Sequence, residues 1–221
     1  MTAGSPILIV DDHELVGSAL ALNLRAEGED ATFFPVRSAA AVLERARTGE
    51  PGLIVLDLDL GRDPDGNRID GVQLVGPLVD AGWRVVVLSG SSDAGRVGAA
   101  LDAGGFVFVP KNAPFPALLN AIREARMGRS VMPPGRREQF IQLHRDREQE
   151  RRELYGKLGK LTQREREVLA LLAGGKRAQA VADHFVVSLA TVRTQIRAVL
   201  TKLEVGSQLE AVALYRKAAG I

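Results

Sequence analysis

The chain contains no cysteine, which excludes disulfides and cysteine-ligated zinc and suits a reducing compartment. It also lacks any apolar run of membrane-spanning length,. The opening, MTAGSPILIVDD, reaches only five apolar residues, counting Pro6, before two acids, a stretch too short for a secretory signal,. A cytoplasmic location with no membrane partner is therefore expected. Histidine is scarce, and His13, His144 and His184 are scattered along the sequence, so none is expected to serve a metal or catalytic site. Hydrophobic residues at 46% and charged residues at 25% give the balance of a soluble globular protein, which excludes disorder throughout,. The 221 residues allow one large domain or two modest ones,.

The net charge of +2 conceals two opposite halves. Residues 1–130 hold 12 Lys and Arg against 17 Asp and Glu, a net −5, while residues 131–221 hold 17 against 10, a net +7. A basic C-terminal segment is the electrostatic footprint of a nucleic-acid binder, because phosphates are neutralised by Lys and Arg, although a solvated basic face gives the same count.

Short apolar runs recur through the first half: Ile7 to Val10, Ala31 to Phe34, Leu53 to Leu56, Val85 to Leu88 and Phe106 to Val109. Between them lie segments with helical spacing, such as Leu15, Leu20, Leu22 and Leu24, or Leu118, Leu119 and Ile122. Strands that are apolar throughout are buried on both faces, and their alternation with helices predicts an α/β domain with a doubly wound parallel sheet of five strands. Residues 5–128 accommodate five such units.

In a sheet of this kind functional groups collect at the carboxyl ends of the strands. The first run ends at Asp11 and Asp12, the third at Asp57, the fourth at Ser89 and Gly90, and the fifth at Lys111. Carboxylates gathered so closely repel one another and call for a cation, and an all-oxygen set with room for water suits Mg²⁺. With that ion bound, Asp57 can attack a phosphoryl group, and Lys111 and the Ser89 hydroxyl can hold the charge that results.

This set, with Phe108 three residues before the lysine, resembles the receiver domain of bacterial two-component response regulators. The resemblance implies a flavodoxin-like fold in which Asp57 takes a phosphoryl group from a sensor histidine kinase. It further implies that Asp12 and Asp57 are metal ligands, that Asp11 acts through water, and that Asp59 lends its backbone carbonyl. Ser89 and Phe108 would form a switch, the hydroxyl moving toward the phosphate and the ring following into the space it leaves. Singly, each residue has a plainer reading as a helix cap, a loop hydroxyl, a core ring or a solvated lysine. Their order at four strand ends is what favours the pocket.

Two departures stand out. The Asp-Gly pair that follows the phosphorylated Asp in the family falls at Asp70 and Gly71, 13 residues on, which is longer than usual. The intervening GRDPDGNR reads by default as a solvated turn, with hindrance of kinase docking or gating of the pocket as alternatives. Lys111 is followed by Asn112 where many receivers have proline.

From Met127 to about Leu161 the texture changes. Gly128, Pro133, Pro134 and Gly135 break the fifth helix, and the charge-dense stretch beyond is rich in Glu, Gln, Arg and Leu, which predicts a helical linker over 129–159,. Its apolar residues cluster at the two ends, with none from His144 to Glu153, so no heptad is sustained,. Thr162 followed by Glu165 forms a capping-box pattern and opens a second domain, 160–221,.

Four apolar segments at helical spacing fill that domain. The breaks AGGKR and VVS outline a helix-turn-helix, with Ser188 as N-cap of its second helix,. Residues 160–216 resemble the LuxR-type DNA-binding domain, and the whole chain is similar to the NarL/FixJ class of response regulators. The resemblance implies that the helix from Ser188 enters the major groove of double-stranded DNA. Burying Val192, Ile196 and Val199 leaves Arg193, Thr194 and Arg197 on the opposite face for base and backbone contacts, with Thr191, Lys176, Arg177 and Lys202 for phosphate. Gln195 stands where a histidine is frequent, and Ala180 where an acid is common.

A phosphatase of the haloacid dehalogenase type also places an Asp-x-Asp pair, here Asp57-Leu58-Asp59, at a strand end. In that family the pair ends the first core strand and an acidic pair comes last, whereas here Asp11-Asp12 comes first. An atypical receiver that controls DNA binding without phosphorylation ranks below the standard form, because every phosphorylation residue is present. The expectation is a transcription regulator, not an enzyme. Phosphorylation in the residues 1–128 receiver would control the reader, which binds paired half-sites as a homodimer through the helix from Ser207.

Overall fold

The structure is a computed structural model that describes residues 4–90 and 93–219. The chain divides into two compact units, with the boundary after Arg145. In chain order the first unit contains β1 (Ile7–Asp11), α1 (Glu14–Ala26), β2 (Ala31–Pro35), α2 (Ala39–Thr48), β3 (Leu53–Asp57), β4 (Asp59–Arg62), β5 (Arg68–Asp70), α3 (Gly71–Asp80), β6 (Arg84–Ser89), α4 (Ala94–Asp102), β7 (Val107–Pro110) and α5 (Phe115–Arg126).

Five strands form one parallel sheet in the order β2-β1-β3-β6-β7. Successive side chains of a strand point to opposite faces. Ile7, Ile9, Leu53, Val55 and Val86 therefore meet Leu20 and Leu24 of α1 and Ile122 of α5, while Leu8, Val10, Ile54, Leu56 and Val87 meet Val42 of α2 and Leu74 and Leu78 of α3. Two cores on one sheet explain the unbroken apolar runs. The sequence order reverses between β1 and β3, which puts the crevice at the ends of those two strands,.

Two sequence readings gain detail from the structure. On α1 Leu20 and Leu24 are buried, but Leu15 and Leu22 are 87% and 65% exposed. At 3.6 residues per turn, residues seven apart share a face, and that of Leu15 and Leu22 is the one opposite Leu20 and Leu24. The stretch after Asp57 is more than a solvated turn: β4 and β5 pair antiparallel, Asp59 with Asp70 and Arg62 with Arg68. Leu60 and Ile69 are drawn into the α2/α3 core, so only the tip is a turn, closed by the Asp63 carboxylate accepting from the Asn67 N–H at 2.8 Å.

The helix α6 (Arg136–Gly159) runs through the predicted linker, its first ten residues belonging to the first unit and the rest to the second. The second unit continues with α7 (Gln163–Ala173), α8 (Ala178–Phe185), α9 (Leu189–Leu203) and α10 (Gln208–Ala219). Thr162 and Glu165 cap each other's backbone N–H groups as the sequence predicts. Thr162→Ala removes that cap and should cost about 1 kcal/mol of stability in denaturant unfolding. Val168, Leu172, Val181 and Val192 form one small core, and Leu169, Val199, Leu203 and Ala211 another. The Ser188 hydroxyl accepts from the Thr191 N–H and starts α9. Ile196 is half-buried, and Leu209 on α10 is 79% exposed in spite of its apolar spacing.

Candidate functional site

The carboxyl ends of β1, β3, β6 and β7 bring Asp11, Asp57, Ser89 and Lys111 to one edge. Asp11, Asp57 and Ser89 are each at most 2% exposed. The Lys111 ammonium, placed just past β7, lies 2.7 Å from Asp11 Oδ2 and 2.7 Å from Asp57 Oδ2. Its backbone N–H donates to the Ser89 carbonyl at 2.9 Å, which ties the β6 and β7 ends together. Asp57 Oδ1 is buried with no hydrogen-bond partner among the described residues. A carboxylate held on one oxygen and bare on the other is costly to bury unless a cation or a new covalent partner takes the second oxygen.

Electrostatics point the same way. Burial pushes the Asp57 carboxyl above the ordinary carboxylate range, against the pull of Lys111 and the Asp59 backbone N–H. Burial alone would lower the Lys111 ammonium, but its bonds to Asp11 and Asp57 outweigh that and hold it above an ordinary lysine. Ligand atoms of Asp11, Asp12, His13 and Asp57 all lie within 4.8 Å of one another. This acidic pocket is compatible with Mg²⁺.

In the second unit Lys176, Arg177, Thr191, Arg193, Thr194 and Arg197 are all exposed. Thr191 and Thr194 are partly engaged, Oγ1 of the first with Ser188 Oγ at 2.8 Å and Oγ1 of the second donating to the Ala190 carbonyl at 3.1 Å. Lys202 is placed differently: its ammonium is 2.7 Å from Glu165, a pair that joins α9 to α7. Burial raises the Glu165 carboxyl, but bonds from Lys202 and Thr162 overcome it and leave the group below the ordinary range.

Residues 7–123 match the family described as the response regulator receiver domain, and residues 159–215 match the bacterial regulatory proteins of the luxR family. Over 206 residues the chain is 31% identical to the response regulator protein VraR of Staphylococcus aureus, with 93% of each chain covered. Over 209 residues it is 28% identical to the transcriptional regulatory protein DesR of Bacillus subtilis, covering 95% of this chain and 86% of DesR. The chain is a two-component response regulator of the NarL/FixJ class. This response regulator is therefore a DNA-binding transcriptional regulator with an N-terminal receiver and a LuxR-type reader, and the dehalogenase-type reading falls away. The fold is shared with the Salmonella typhimurium response regulator RcsB, at a TM-score of 0.51 and 20% identity over the whole of both chains.

The receiver carries two residues that sequence reasoning passed over. His13, set aside as scattered, sits in the acidic cluster, its Nδ1 2.7 Å from Asp12 Oδ1, and the Asp12 carboxylate raises its pKa. The signal was adjacency to Asp12. Arg96 of α4 reaches the Leu58 carbonyl at 2.7 Å, Asp70 at 3.0 Å and Asp59 at 3.3 Å. It thereby ties the β4–β5 hairpin to α4. These partners lie 26 to 38 residues away in sequence, so no local pattern announces them. The Asp59 carboxylate is held by Arg68 at 2.7 Å as well as by Arg96.

Gly71 of the receiver meets β3 backbone to backbone. A Cβ there would lie 2.2 Å from the Asp57 carbonyl oxygen and 2.8 Å from the Leu58 Cα. Gly71→Ala should cost on the order of 1–3 kcal/mol through overpacking, read from the urea midpoint.

The raised Asp57 pKa also makes a pH prediction for the metal-free receiver. A carboxyl whose folded pKa exceeds its unfolded value contributes stability below the unfolded pKa and loses it as pH rises through the folded one. Ionised Asp57 is thus a liability at neutral pH. Asp57→Asn should melt at a higher temperature than wild type at pH 7 in chelator, and the gain should shrink as pH falls below the ordinary carboxylate range. A gain that stays constant across that pH span would contradict the assignment.

Proposed function

We propose that Asp57 accepts a phosphoryl group from a sensor histidine kinase, and that this modification controls pairing of the reader on promoter DNA. The observation that carries the reading is the buried Asp57 carboxylate, one oxygen held by Lys111 and the other without a hydrogen-bond partner among the described residues. A carboxylate oxygen of Asp57 forms a bond to phosphorus as the phosphorus–nitrogen bond to the kinase histidine breaks, and the electron pair leaves with the imidazole. Lys111 neutralises phosphoryl oxygens, and the Ser89 hydroxyl turns to donate to one of them. Asp12 and Asp57, with the Asp59 backbone carbonyl and with Asp11 through water, would hold Mg²⁺, which when bound offsets negative charge on the carboxylates and the phosphoryl group.

The receiver takes residues 1–128, the linker 129–159 and the reader 160–221. Arg193, Thr194 and Arg197 face the major groove, while Lys176, Arg177 and Thr191 contact phosphate. Lys202 contributes through its pair with Glu165 and reaches phosphate only if that pair opens. The regulator acts in the cytoplasm as a homodimer on two related half-sites, paired through α10. Footprinting on the promoter with acetyl phosphate and Mg²⁺, against the same mixture in chelator, tests the proposal. Two protected half-sites whose occupancy rises only in the first mixture are expected. Equal protection in both would refute control by phosphorylation.

A further inference from the structure

The chain passes from β3 into the inserted hairpin through the peptide group that joins Leu58 to Asp59. The carbonyl of that group accepts from Arg96 Nη2 at 2.7 Å and from the Gly71 N–H at 3.0 Å. Its N–H, which belongs to Asp59, pulls on the Asp57 carboxylate. Two carboxylates stand close to the same Arg96 nitrogen, Asp70 at 3.0 Å and Asp59 at 3.3 Å, yet the shortest bond goes to the neutral carbonyl. Neither acid depends on Arg96. Asp59 has Arg68 at 2.7 Å, and Asp70 accepts from the Val72 N–H at the start of α3. Guanidinium groups usually make their shortest bonds to carboxylates, so a guanidinium only 22% exposed that favours a carbonyl is placed for that carbonyl. The hairpin meets the pocket a second time at Gly61, which has φ +68° and where a Cβ would lie 3.0 Å from Asp12 Oδ2. The β4 backbone therefore runs along the Asp12 carboxylate.

We propose that Arg96 is a positioning residue of the acidic pocket: by gripping the Leu58 carbonyl it fixes the Asp59 N–H beside Asp57 and the Asp59 backbone carbonyl offered to the divalent ion. The inference rests on the Mg²⁺ reading above. A peptide group is planar, so a bond that holds its C=O also sets the direction of its N–H. A cation on the C=O further polarises that N–H and makes it a stronger donor. The Asp59 carbonyl starts from the Cα that this plane places. Thirteen residues separate Asp57 from Asp70, and the segment between them leaves the sheet as a hairpin whose motion would swing the peptide at its base. Arg96 fastens that base to α4. Groups that orient a metal ligand without touching the ion commonly contribute about 10–100-fold in affinity. The Asp59 carboxylate has no share in this, because the grip is on the backbone.

Full-length wild type, Arg96→Ala, Arg96→Lys and Asp59→Asn are compared by two measurements. Mg²⁺ is titrated calorimetrically, and hydrogen exchange of the backbone amide at position 59 is followed by NMR in chelator. Arg96→Ala should bind Mg²⁺ about tenfold more weakly. Its amide at position 59 should exchange about tenfold faster while the amides of β1 keep their wild-type rates, as expected of a local loosening rather than a global one. Arg96→Lys keeps a charged donor within reach of the Leu58 carbonyl and should recover part of both losses. Asp59→Asn should stay within about twofold of wild type, since it gives up only exposed ion pairs. Arg96→Ala with wild-type Mg²⁺ affinity or wild-type exchange at position 59 overturns the assignment. So does Arg96→Lys that recovers nothing, or Asp59→Asn as weak as Arg96→Ala, which would route the effect through the carboxylates. Wild type that gives no heat with Mg²⁺ overturns the cation reading, and the amide exchange still decides whether Arg96 holds the peptide.

Discussion

Incubated with acetyl phosphate and Mg²⁺, the wild-type protein gains the mass of one phosphoryl group, while Asp57→Asn keeps its unmodified mass. Asp57→Asn is the decisive substitution because the amide keeps the shape of the side chain and removes the nucleophilic carboxylate. Asp57 lies at the end of a fully buried strand, 2.7 Å from Lys111 and with Oδ1 unpartnered among the described residues, which sets it apart in the cluster. Asp11 is equally buried, but its Oδ2 is also engaged by Lys111, and its Oδ1 accepts the His13 backbone N–H at 2.8 Å. Lys111→Ala should slow phosphorylation by roughly 10²–10³-fold, the loss typical of one preorganised charge-stabilising donor. Asp59→Asn should leave the reaction nearly intact, since the Asp59 carboxylate points into Arg68 and Arg96. Undiminished phosphorylation of Asp57→Asn would remove the acceptor from this site altogether.

Arg193→Ala and Arg197→Ala should each weaken promoter binding by about 1–3 kcal/mol, a tenfold to more than hundredfold loss if the guanidinium reads a base. Both arginines are exposed on α9, on the side away from the buried Val192 and Val199. The two roles an arginine can play separate in a salt titration. A phosphate contact lowers the slope of log affinity against log salt by about one and weakens all sequences alike, whereas a base contact relaxes discrimination at one position. Lys176→Ala should follow the first pattern. Lys202→Ala should instead lower the melting temperature, because it removes the ion pair that joins α9 to α7 and leaves the half-capped Glu165 carboxylate only the Thr162 N–H,. Unchanged affinity of the Arg193→Ala/Arg197→Ala double variant at physiological salt would place the DNA face elsewhere.

Much of the receiver was legible in the sequence because burial on both faces of a parallel sheet leaves an unmistakable trace, the unbroken run ending in a functional residue. Asp11, Asp57, Ser89 and Lys111 could be read because the topology of such a sheet sends every strand end to the same edge. The reader was legible for a related reason, since caps such as Thr162 and Ser188 and the apolar spacing between them are local features. What could not be read depends on partners distant in sequence. The hairpin after Asp57 looked like a polar loop, because its strands are short and only Leu60 and Ile69 enter the core. The α1 leucines were counted together, although a helix has two sides and the sequence does not say which one meets the sheet. Arg96 and Phe140 are ordinary residues until α4 and α6 are placed beside their partners.

By itself, then, the order of residues determined the class of fold, the residues gathered at the strand ends and the helix-turn-helix of the reader, since each follows from hydrophobic periodicity and caps acting over a few residues. Only the tertiary structure decided that Lys111 is shared between Asp11 and one oxygen of Asp57, that Arg96 joins the inserted hairpin to α4, and that Phe140 rests on Phe108. The reason is geometric. Contacts between side chains tens of residues apart depend on how helices and sheet are stacked, and stacking distances have no period in the sequence.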